Sequence, residues 1–286
     1  MQSNIKIVAM GVGGAGNSIV NRLIKTGVKG TDFVVVNTNV KDLKIIDNRI
    51  KKILIGNEQD RQKIKEVLSD AQLVFLCVGM GGGTGTGASP VIAQIAKEQG
   101  AIVVAMVTYP LDMERVRKLR AEEGIEELRK YADSLIILDN NRLLDIVPNL
   151  PINEVFAVAD DVIAKAIGGL IWTITQPSLI NIDFVDVASI LTNKKLGFIS
   201  IGTGKGSDKI TAGAEAVIKN NLLNAEFKDV KGVLVIISGG ADLTIEDVKK
   251  AKELIKRQMP NANVKIGARI LNEYEDKIEI VAICFL

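Results

Sequence analysis

Short apolar segments alternate with helix-like stretches along the first half of the chain. The apolar segments contain mainly Val, Ile, Leu and Ala with little polar alternation, which is typical of parallel strands buried on both faces. The predicted strands are Ile5–Met10, Phe33–Val36, Lys52–Ile55, Leu73–Val78, Ile102–Val107 and Ser134–Leu138. The predicted helices between them are Gly14–Lys25, Glu58–Leu68, Pro90–Glu98 and Arg115–Lys130. This alternation predicts an α/β fold with a doubly wound parallel sheet.

The second half follows a different pattern. A mostly apolar segment from Asn153 to Thr175 predicts one long helix that is covered on most sides, and Pro177 ends it. The later predicted strands are Gly197–Ile201, Val233–Ile237, Val264–Ile270 and Ile278–Phe285. The last two are close in sequence, which predicts that they pair antiparallel. We therefore predict a first domain at 1–152, a central helix at 153–176 and a smaller α/β domain with a mixed sheet at 177–286.

The charge and residue counts narrow the possible functions. The 286 residues include 36 Lys and Arg against 34 Asp and Glu, a formal net charge of +2. Such a balance exerts no long-range attraction on nucleic acid or acidic membranes, so we expect neither as a partner. The sequence contains no histidine. This excludes Ser-His-Asp and Cys-His hydrolysis as well as imidazole metal sites.

Cysteine usage and the terminal segment indicate a cytoplasmic protein. Cys77 and Cys284 each lie in an apolar run, so we expect buried free thiols and no disulfide framework or zinc site. The first residues lack the basic and apolar pattern of a signal peptide. No apolar stretch approaches the roughly 18 residues needed to span a bilayer.

A first glycine-rich loop, Gly11–Gly16, follows a predicted strand and precedes a helix. Its backbone N–H groups and the helix N-terminus suit a phosphate group. The loop matches the G-x-G-x-x-G pattern of dinucleotide folds, which leaves an NAD-dependent enzyme as one alternative. However, Asn37 ends the second strand where those folds carry an acidic residue for the ribose. A glycine turn needed only for tight packing is a further alternative.

A second loop, Gly79–Gly87, contains six glycines in nine residues and two threonines. No turn needs so many glycines, and ordering them is entropically costly, so a purely structural role is a weak explanation. The loop lacks the Gly-Lys-Ser/Thr of a Walker sequence. Because both loops follow strands of one predicted parallel sheet, they converge on one crevice. The sequence therefore predicts a nucleotide with two or three phosphates.

At these loops the chain resembles the tubulin/FtsZ family. The segment MGGGTGTGASPVIAQIAKEQGAIVVAMVTYP is similar to the signature loop of the family, and IKIVAMGVGGAGNSIVNRL is similar to its first phosphate loop. FAVADDVIAKAIGGL, PSLINIDFVDV and GVLVIISGGADLTIEDV extend the resemblance over essentially the whole chain. It implies a cell-division GTPase with GTP or GDP and Mg²⁺ as ligands. It also implies head-to-tail assembly, a nucleotide-binding domain at 1–152 and a C-terminal activation domain at 177–286.

The resemblance also assigns individual contacts. The phosphate contacts fall on Gly14, Ala15, Gly16, Asn17 and Ser18, and on Gly82, Gly83, Thr84, Gly85 and Thr86. The ribose contacts fall on Glu114 and Arg117, and the base contacts on Asn140, Phe156 and Asp160. A carboxylate accepts hydrogen bonds from the N1–H and amino groups of guanine. Without the resemblance, Phe156 could be a core aromatic and Asp160 part of a solvated helix face.

A catalytic role is implied for Asn181, Asp183 and Asp186, which a neighbouring copy of the chain would insert into the site. The acids would polarise the attacking water and help to organise Mg²⁺. Taken without the family, two acids at the start of a helix usually interact with its dipole.

Several departures from the family pattern leave hydrolysis open. The family normally carries a third glycine-rich loop, which contacts the terminal phosphate, between its third and fourth strands. Here the segment between Gly56 and Ala71 contains no glycine. A nucleotide-binding filament protein with little or no hydrolysis is therefore the second hypothesis. Glu114 and Arg117 are three residues apart instead of four, and Ser178 replaces a usual glycine. The chain stops at its last strand, so docking to membrane adaptors through a C-terminal peptide is not expected.

Overall fold

The computed structural model describes residues 5–57, 59–192, 195–223 and 225–286. Its strands are β1 (Ile7–Val12), β2 (Asp32–Asn37), β3 (Lys51–Leu54), β4 (Leu73–Gly79), β5 (Ile102–Tyr109), β6 (Ser134–Asp139), β7 (Lys195–Lys205), β8 (Gly232–Gly239), β9 (Asn263–Ile270) and β10 (Lys277–Phe285). Its α-helices are α1 (Gly13–Leu23), α2 (Val40–Lys44), α3 (Asp60–Leu68), α4 (Gly83–Glu98), α5 (Arg115–Arg129), α6 (Asn140–Ile146), α7 (Ile152–Thr175), α8 (Phe184–Leu191), α9 (Lys209–Lys219) and α10 (Ile245–Gln258). All ten strands form one sheet, in the order β3-β2-β1-β4-β5-β6-β7-β10-β8-β9.

The first six strands run parallel, which confirms the predicted doubly wound sheet. Every residue of β1 is buried, because apolar helices cover the sheet on both faces. One apolar core lies under α1 and α7, and another lies under α3 and α4. All carboxyl ends of the six strands therefore meet at one edge of the sheet, where the glycine-rich loops begin.

The second half continues the same sheet through a parallel pairing of β6 with β7. Next, β10 lies between β7 and β8 and is antiparallel to both, while β9 pairs parallel with β8. The prediction that the last two strands pair with each other is therefore wrong. The apolar run of β10 is buried almost throughout, as a central strand requires, whereas β9 is half exposed at the sheet edge.

The long helix α7 crosses the core, as predicted. Its 24 residues span about 36 Å at 1.5 Å per residue. Ile167, Leu170 and Ile171 are fully buried against the sheet and neighbouring helices. Its first turns lie near the glycine-rich loops, and its last turn leads to the segment that contains Asn181.

Helix α4 begins at Gly83, not at Pro90 as the sequence predicted. Pro90 lies inside the helix, and the glycines before it form the first helical turns. Glu58, the first residue of another predicted helix, lies outside the described residues; α3 begins at Asp60. Both cysteines are buried and free, as predicted. Across the described ranges, the helices are too short or too polar to cross a membrane.

Candidate nucleotide site

A cavity of about 640 Å³ opens at the carboxyl edge of the parallel strands. It has the size of a typical small-ligand site. Most of the residues assigned from the sequence line it: Gly14, Ala15, Ser18, Gly82, Gly83, Thr84, Gly85, Glu114, Arg117, Asn140, Phe156 and Asp160. The folded chain thus brings both loops, the segment after β5 and the start of α7 into one site.

Two helix N-termini point at the cavity from these loops. The N-cap residues of α1 and α4 are Val12 and Gly82, and neither has a side chain that accepts a hydrogen bond from its helix. The first turns of both helices also lack acidic residues. Their free N–H groups and positive dipole ends therefore face the same space, which favours a polyphosphate.

Three assigned residues support the loops without lining the cavity. A Cβ on Gly16 would lie 2.1 Å from the carbonyl oxygen of Cys77, so this glycine is required for helix α1 to approach β4. The Thr86 hydroxyl accepts from the backbone N–H of Gly81 at 2.9 Å. Asn17 is buried. In the orientation that pairs donors with acceptors, its amide nitrogen donates to the carbonyl oxygens of Gly11 and Gly13.

The glycines of the two loops therefore serve two purposes. The packing explanation holds for Gly16. At Gly14 and Gly83, by contrast, an added Cβ would meet no described atom within 4 Å. Neighbouring protein atoms do not require glycine at these two positions, which face the cavity. Bare backbone there leaves room for a ligand to approach the amides.

Other polar groups on the cavity wall suit a guanine base. The side-chain oxygen of Asn140 is buried and has no hydrogen-bond partner within the described part of the chain. Burial raises the pKa of Asp160 to about 6, against the opposing effects of a hydrogen bond from Ser18 and the charge of Arg22. The ring of Phe156 is 36% exposed at the mouth of the cavity. The core explanation of Phe156 and the solvated-face explanation of Asp160 are thus both wrong.

Glu114 and Arg117 form an ion pair on the cavity wall. Arg117 Nη1 donates to Glu114 Oε1 at 2.6 Å, and Glu114 Oε2 accepts from the backbone N–H of Leu111 at 3.1 Å. Glu114 directly precedes α5 and Arg117 lies in its first turn. The three-residue spacing therefore still places both side chains at the site.

The carboxyl end of β2 supplies a wall that the sequence analysis missed. Asn37, Thr38, Asn39 and Asp42 all line the cavity. The polar run after the apolar strand VVV was an available signal, because β2 ends at the same edge as β1. The other lining residues not assigned from the sequence are Gly13, Gly79, Met80, Thr108, Pro110 and Ala159.

The described residues between Ile45 and Val78 do not line the cavity, in line with the missing third glycine-rich loop.

The catalytic candidates Asn181, Asp183 and Asp186 lie outside this cavity, beyond the far end of α7. Asp183 Oδ1 accepts from the backbone N–H of Val185 at 3.0 Å and caps α8, so the helix-end interaction expected without the family is present. The amide of Asn181 donates to the carbonyl oxygens of Thr173 and Gln176. Asn181 and Asp183 are exposed.

The donor set fits a Mg²⁺ ion that arrives with a nucleotide. The described residues contain no group of three or more His, Cys, Asp or Glu side chains that could hold a metal. Mg²⁺ commonly binds through one or two carboxylates and the phosphates of its substrate. Asp42 provides such a carboxylate on the cavity wall.

Comparison with known proteins gives matches over both halves of the chain. The model of the Tubulin/FtsZ family, GTPase domain, matches residues 6–148, and that of the FtsZ family, C-terminal domain, matches residues 196–285. Cell division protein FtsZ 2 of Haloferax volcanii is 45% identical over 298 residues, covering 97% of this chain and 74% of that protein. FtsZ 2 of Methanocaldococcus jannaschii is 42% identical over 301 residues, covering 97% and 79%. Both alignments are longer than this chain, so the relatives contain residues that it lacks.

Solved structures agree with this match. An FtsZ dimer of M. jannaschii superposes with a TM-score of 0.93 at 34% identity, covering all of this chain and 89% of that one. CetZ1 of Haloferax volcanii superposes with a TM-score of 0.77 at 17% identity, covering 98% and 94%, which shows a shared fold. These matches do not support the NAD-dependent alternative.

Proposed function

Since the chain belongs to the tubulin/FtsZ family and is a GTPase of that family, we propose that it polymerises head to tail and hydrolyses GTP at the interface between subunits. In this scheme residues 1–152 bind the nucleotide, the helix at 153–176 connects the two ends, and residues 177–286 present the catalytic loop to the next subunit. One observation carries the proposal: the cavity lined by the two glycine-rich loops and the exposed Asn181 and Asp183 lie at opposite ends of α7.

The phosphates are assigned to the converging N-termini of α1 and α4. Two uncapped helix ends aimed at one space stabilise several negative charges, and the bare backbone of Gly14 and Gly83 allows close approach. The ion pair of Arg117 with Glu114 on the cavity wall is assigned to the ribose.

Guanine is assigned to the pocket of Asn140, Phe156 and Asp160. An ionised Asp160 accepts from two donors on the guanine edge, whereas adenine presents an acceptor there. The unpartnered oxygen of Asn140 provides a further acceptor, and the exposed ring of Phe156 offers a stacking surface. Buried acceptors without partners are costly, so a ligand with matching donors gains free energy on binding.

The length of α7 supports completion of the site by a second copy. Asp183 cannot reach a phosphate in its own cavity, because a helix of about 36 Å separates the two regions. A copy stacked along the helix direction brings its exposed Asn181 and Asp183 over the cavity of its neighbour. There the acids would orient and polarise the attacking water, and positioning of this kind supplies most of the rate in phosphoryl transfer.

Mg²⁺, when bound with the phosphates, neutralises their developing charge. The residue that would hold it on this chain is Asp42. Asp186 of the adjoining copy would supply a further carboxylate near the same phosphates.

A filament protein that hydrolyses GTP only slowly is the second candidate. No described residue between Ile45 and Val78 lies on the cavity wall, although the family has its phosphate-contacting loop in this segment. This observation favours the second candidate. Phosphate release from assembled protein distinguishes the two candidates.

The charge balance of the chain predicts that it binds neither nucleic acid nor membrane directly, and this stays a prediction.

The test separates the catalytic role of Asp183 from its helix-capping role. Ser caps a helix as well as Asp does but lacks the charge. We expect Asp183→Ser to keep its thermal stability and nucleotide binding while GTP turnover falls at least about tenfold, the scale of losing a positioned catalytic group. Glu215→Ala, an exposed acid on α9, is the control and should retain full turnover. Unchanged turnover in Asp183→Ser would refute the proposed catalytic loop.

A further inference from the structure

Two hydroxyl groups meet across the cavity wall near β2. Thr38 Oγ1 and Thr84 Oγ1 are 2.7 Å apart, although the residues are 46 positions apart in sequence. Thr38 follows β2, and Thr84 lies in the first turn of α4, in the second glycine-rich loop. This hydrogen bond is therefore a direct link between the β2–α2 segment and a loop that is assigned to phosphate.

The link lies at the end of the cavity that is farthest from the base pocket. Across the parallel sheet the order is β2-β1-β4-β5-β6, and the base pocket includes Asn140, which follows β6. Four strand spacings of about 4.8 Å separate β2 from β6, or on the order of 19 Å. A nucleotide with its base at Asn140 and its phosphates at the two loops thus directs its last phosphate toward Thr38.

We propose that the Thr38–Thr84 pair senses the third phosphate. In the pair, one hydroxyl donates and the other accepts, so only one donor is used. A γ-phosphate offers three strong acceptor oxygens and takes both hydroxyls as donors, which breaks the pair. A diphosphate does not extend to Thr38 and leaves the pair intact. This inference rests on the proposed binding of GTP.

The surrounding hydrogen bonds connect Thr38 to α2. Asn37 and Asn39, on either side of Thr38, both donate to the carboxylate of Asp42 at 3.3 Å. The side chain of Asn39 also caps α2 by accepting from the backbone N–H of Lys41 at 2.9 Å. A displacement of Thr38 is therefore transmitted to the start of α2.

Helix α2 leads to a surface that a partner can detect. Val40 is 47% exposed and Ile45 is 83% exposed. The Thr38–Thr84 pair thus gives this chain a route from the phosphate to its surface that does not use the segment between β3 and β4. The route would allow a chain without a glycine-rich loop in that segment to distinguish GTP from GDP.

The test compares GTP and GDP affinities of Thr38→Val and Thr38→Ser, at concentrations below assembly. Val keeps the branched shape and removes the hydroxyl, whereas Ser retains it. We expect Thr38→Val to lower the preference for GTP over GDP by about tenfold, the value of one hydrogen bond to a charged group, with GDP affinity unchanged. Thr38→Ser should behave as wild type. Thr31→Val is the control. Thr31 directly precedes β2, at the end opposite Thr38, and its hydroxyl donates to the carbonyl oxygen of Ile7.

The outcomes separate this inference from the proposed function. Equal loss of GTP and GDP binding in Thr38→Val would show a structural role and overturn the inference. An unchanged GTP preference in that variant, or a wild-type protein that binds both nucleotides equally, would also overturn it while leaving nucleotide binding established. A wild-type protein that binds neither nucleotide contradicts the proposed function itself.

Discussion

Lys265 Nζ donates to Asp186 Oδ1 across 2.7 Å, so strand β9 holds one of the proposed catalytic acids in place. The two residues are 79 positions apart and join α8 to the edge of the sheet. Both side chains remain partly exposed, and the ion pair alone is therefore expected to contribute little to stability. Its effect on the orientation of Asp186 is the property to test.

We expect Lys265→Met to lower GTP turnover by about tenfold, the scale of one charge-assisted hydrogen bond, without weakening nucleotide binding. Phosphate release and GDP affinity, measured on the same preparation, check both halves of this expectation. Lys249→Met removes a comparable ion pair on α10 and should leave turnover unchanged. Full activity in Lys265→Met would show that the pair does not position Asp186.

Two glycines of the first loop should respond differently to the same substitution. In Gly16→Ala the new methyl would overlap the carbonyl oxygen of Cys77, so we expect the free energy of unfolding to fall by about 3 kcal/mol. In Gly14→Ala the methyl meets no described atom, and stability should change by no more than about 1 kcal/mol. Denaturant unfolding measures both.

The same pair of variants tests the phosphate assignment. Gly14→Ala should weaken GTP binding by about tenfold or more, because the methyl group obstructs the approach of phosphate to the backbone amides. A Gly14→Ala protein that folds and binds GTP as tightly as wild type would contradict this assignment.

The pKa of Asp160 predicts a pH dependence of GTP affinity. Burial raises this pKa to about 6 in the free protein, and guanine donors favour the ionised carboxylate. Affinity should therefore fall by about tenfold between pH 7 and pH 5, as protons compete for the carboxylate. Equilibrium binding across this range in wild type and Asp160→Asn measures the effect, and the variant should lack this step. A wild-type affinity that does not vary with pH would remove Asp160 from the base contact.

The sign of the stability effect is opposite. A raised carboxyl pKa means that the native state binds the extra proton, so this group makes the free energy of unfolding fall as pH rises from about 4 to 6. Asp160→Asn should abolish that contribution and stabilise the free protein at pH 7. Denaturant unfolding at several pH values, without nucleotide, provides the measurement.

Base specificity is a separate consequence of the same carboxylate. Asp160→Ala should lose its preference for GTP over ATP, because the acceptor that distinguishes the two bases is gone. Competition of each nucleotide against labelled GDP measures this preference. If the variant still rejects ATP and binds GTP unchanged, another group recognises the base.

Much of the fold and site follows from local sequence. The unalternating apolar runs of β1 and β4 predicted buried parallel strands, and the glycine-rich loops after them predicted that both loops would line one cavity. The burial of Asp160 could not be inferred locally, because α1 covers it from a distant part of the chain. The wall at Thr38 depends on the adjacency of β2 and β1, and the position of β10 depends on pairing partners on both sides. Such arrangements are set by tertiary packing, which a single segment does not specify.

The most direct test of the central claim is the rate of phosphate release per protomer as protein concentration increases at saturating GTP and Mg²⁺. If a second copy completes the site, the rate per protomer is negligible below a critical concentration and rises above it, together with the appearance of filaments by electron microscopy. A rate per protomer that is the same at every concentration would mean that each subunit hydrolyses GTP alone, and would contradict the account.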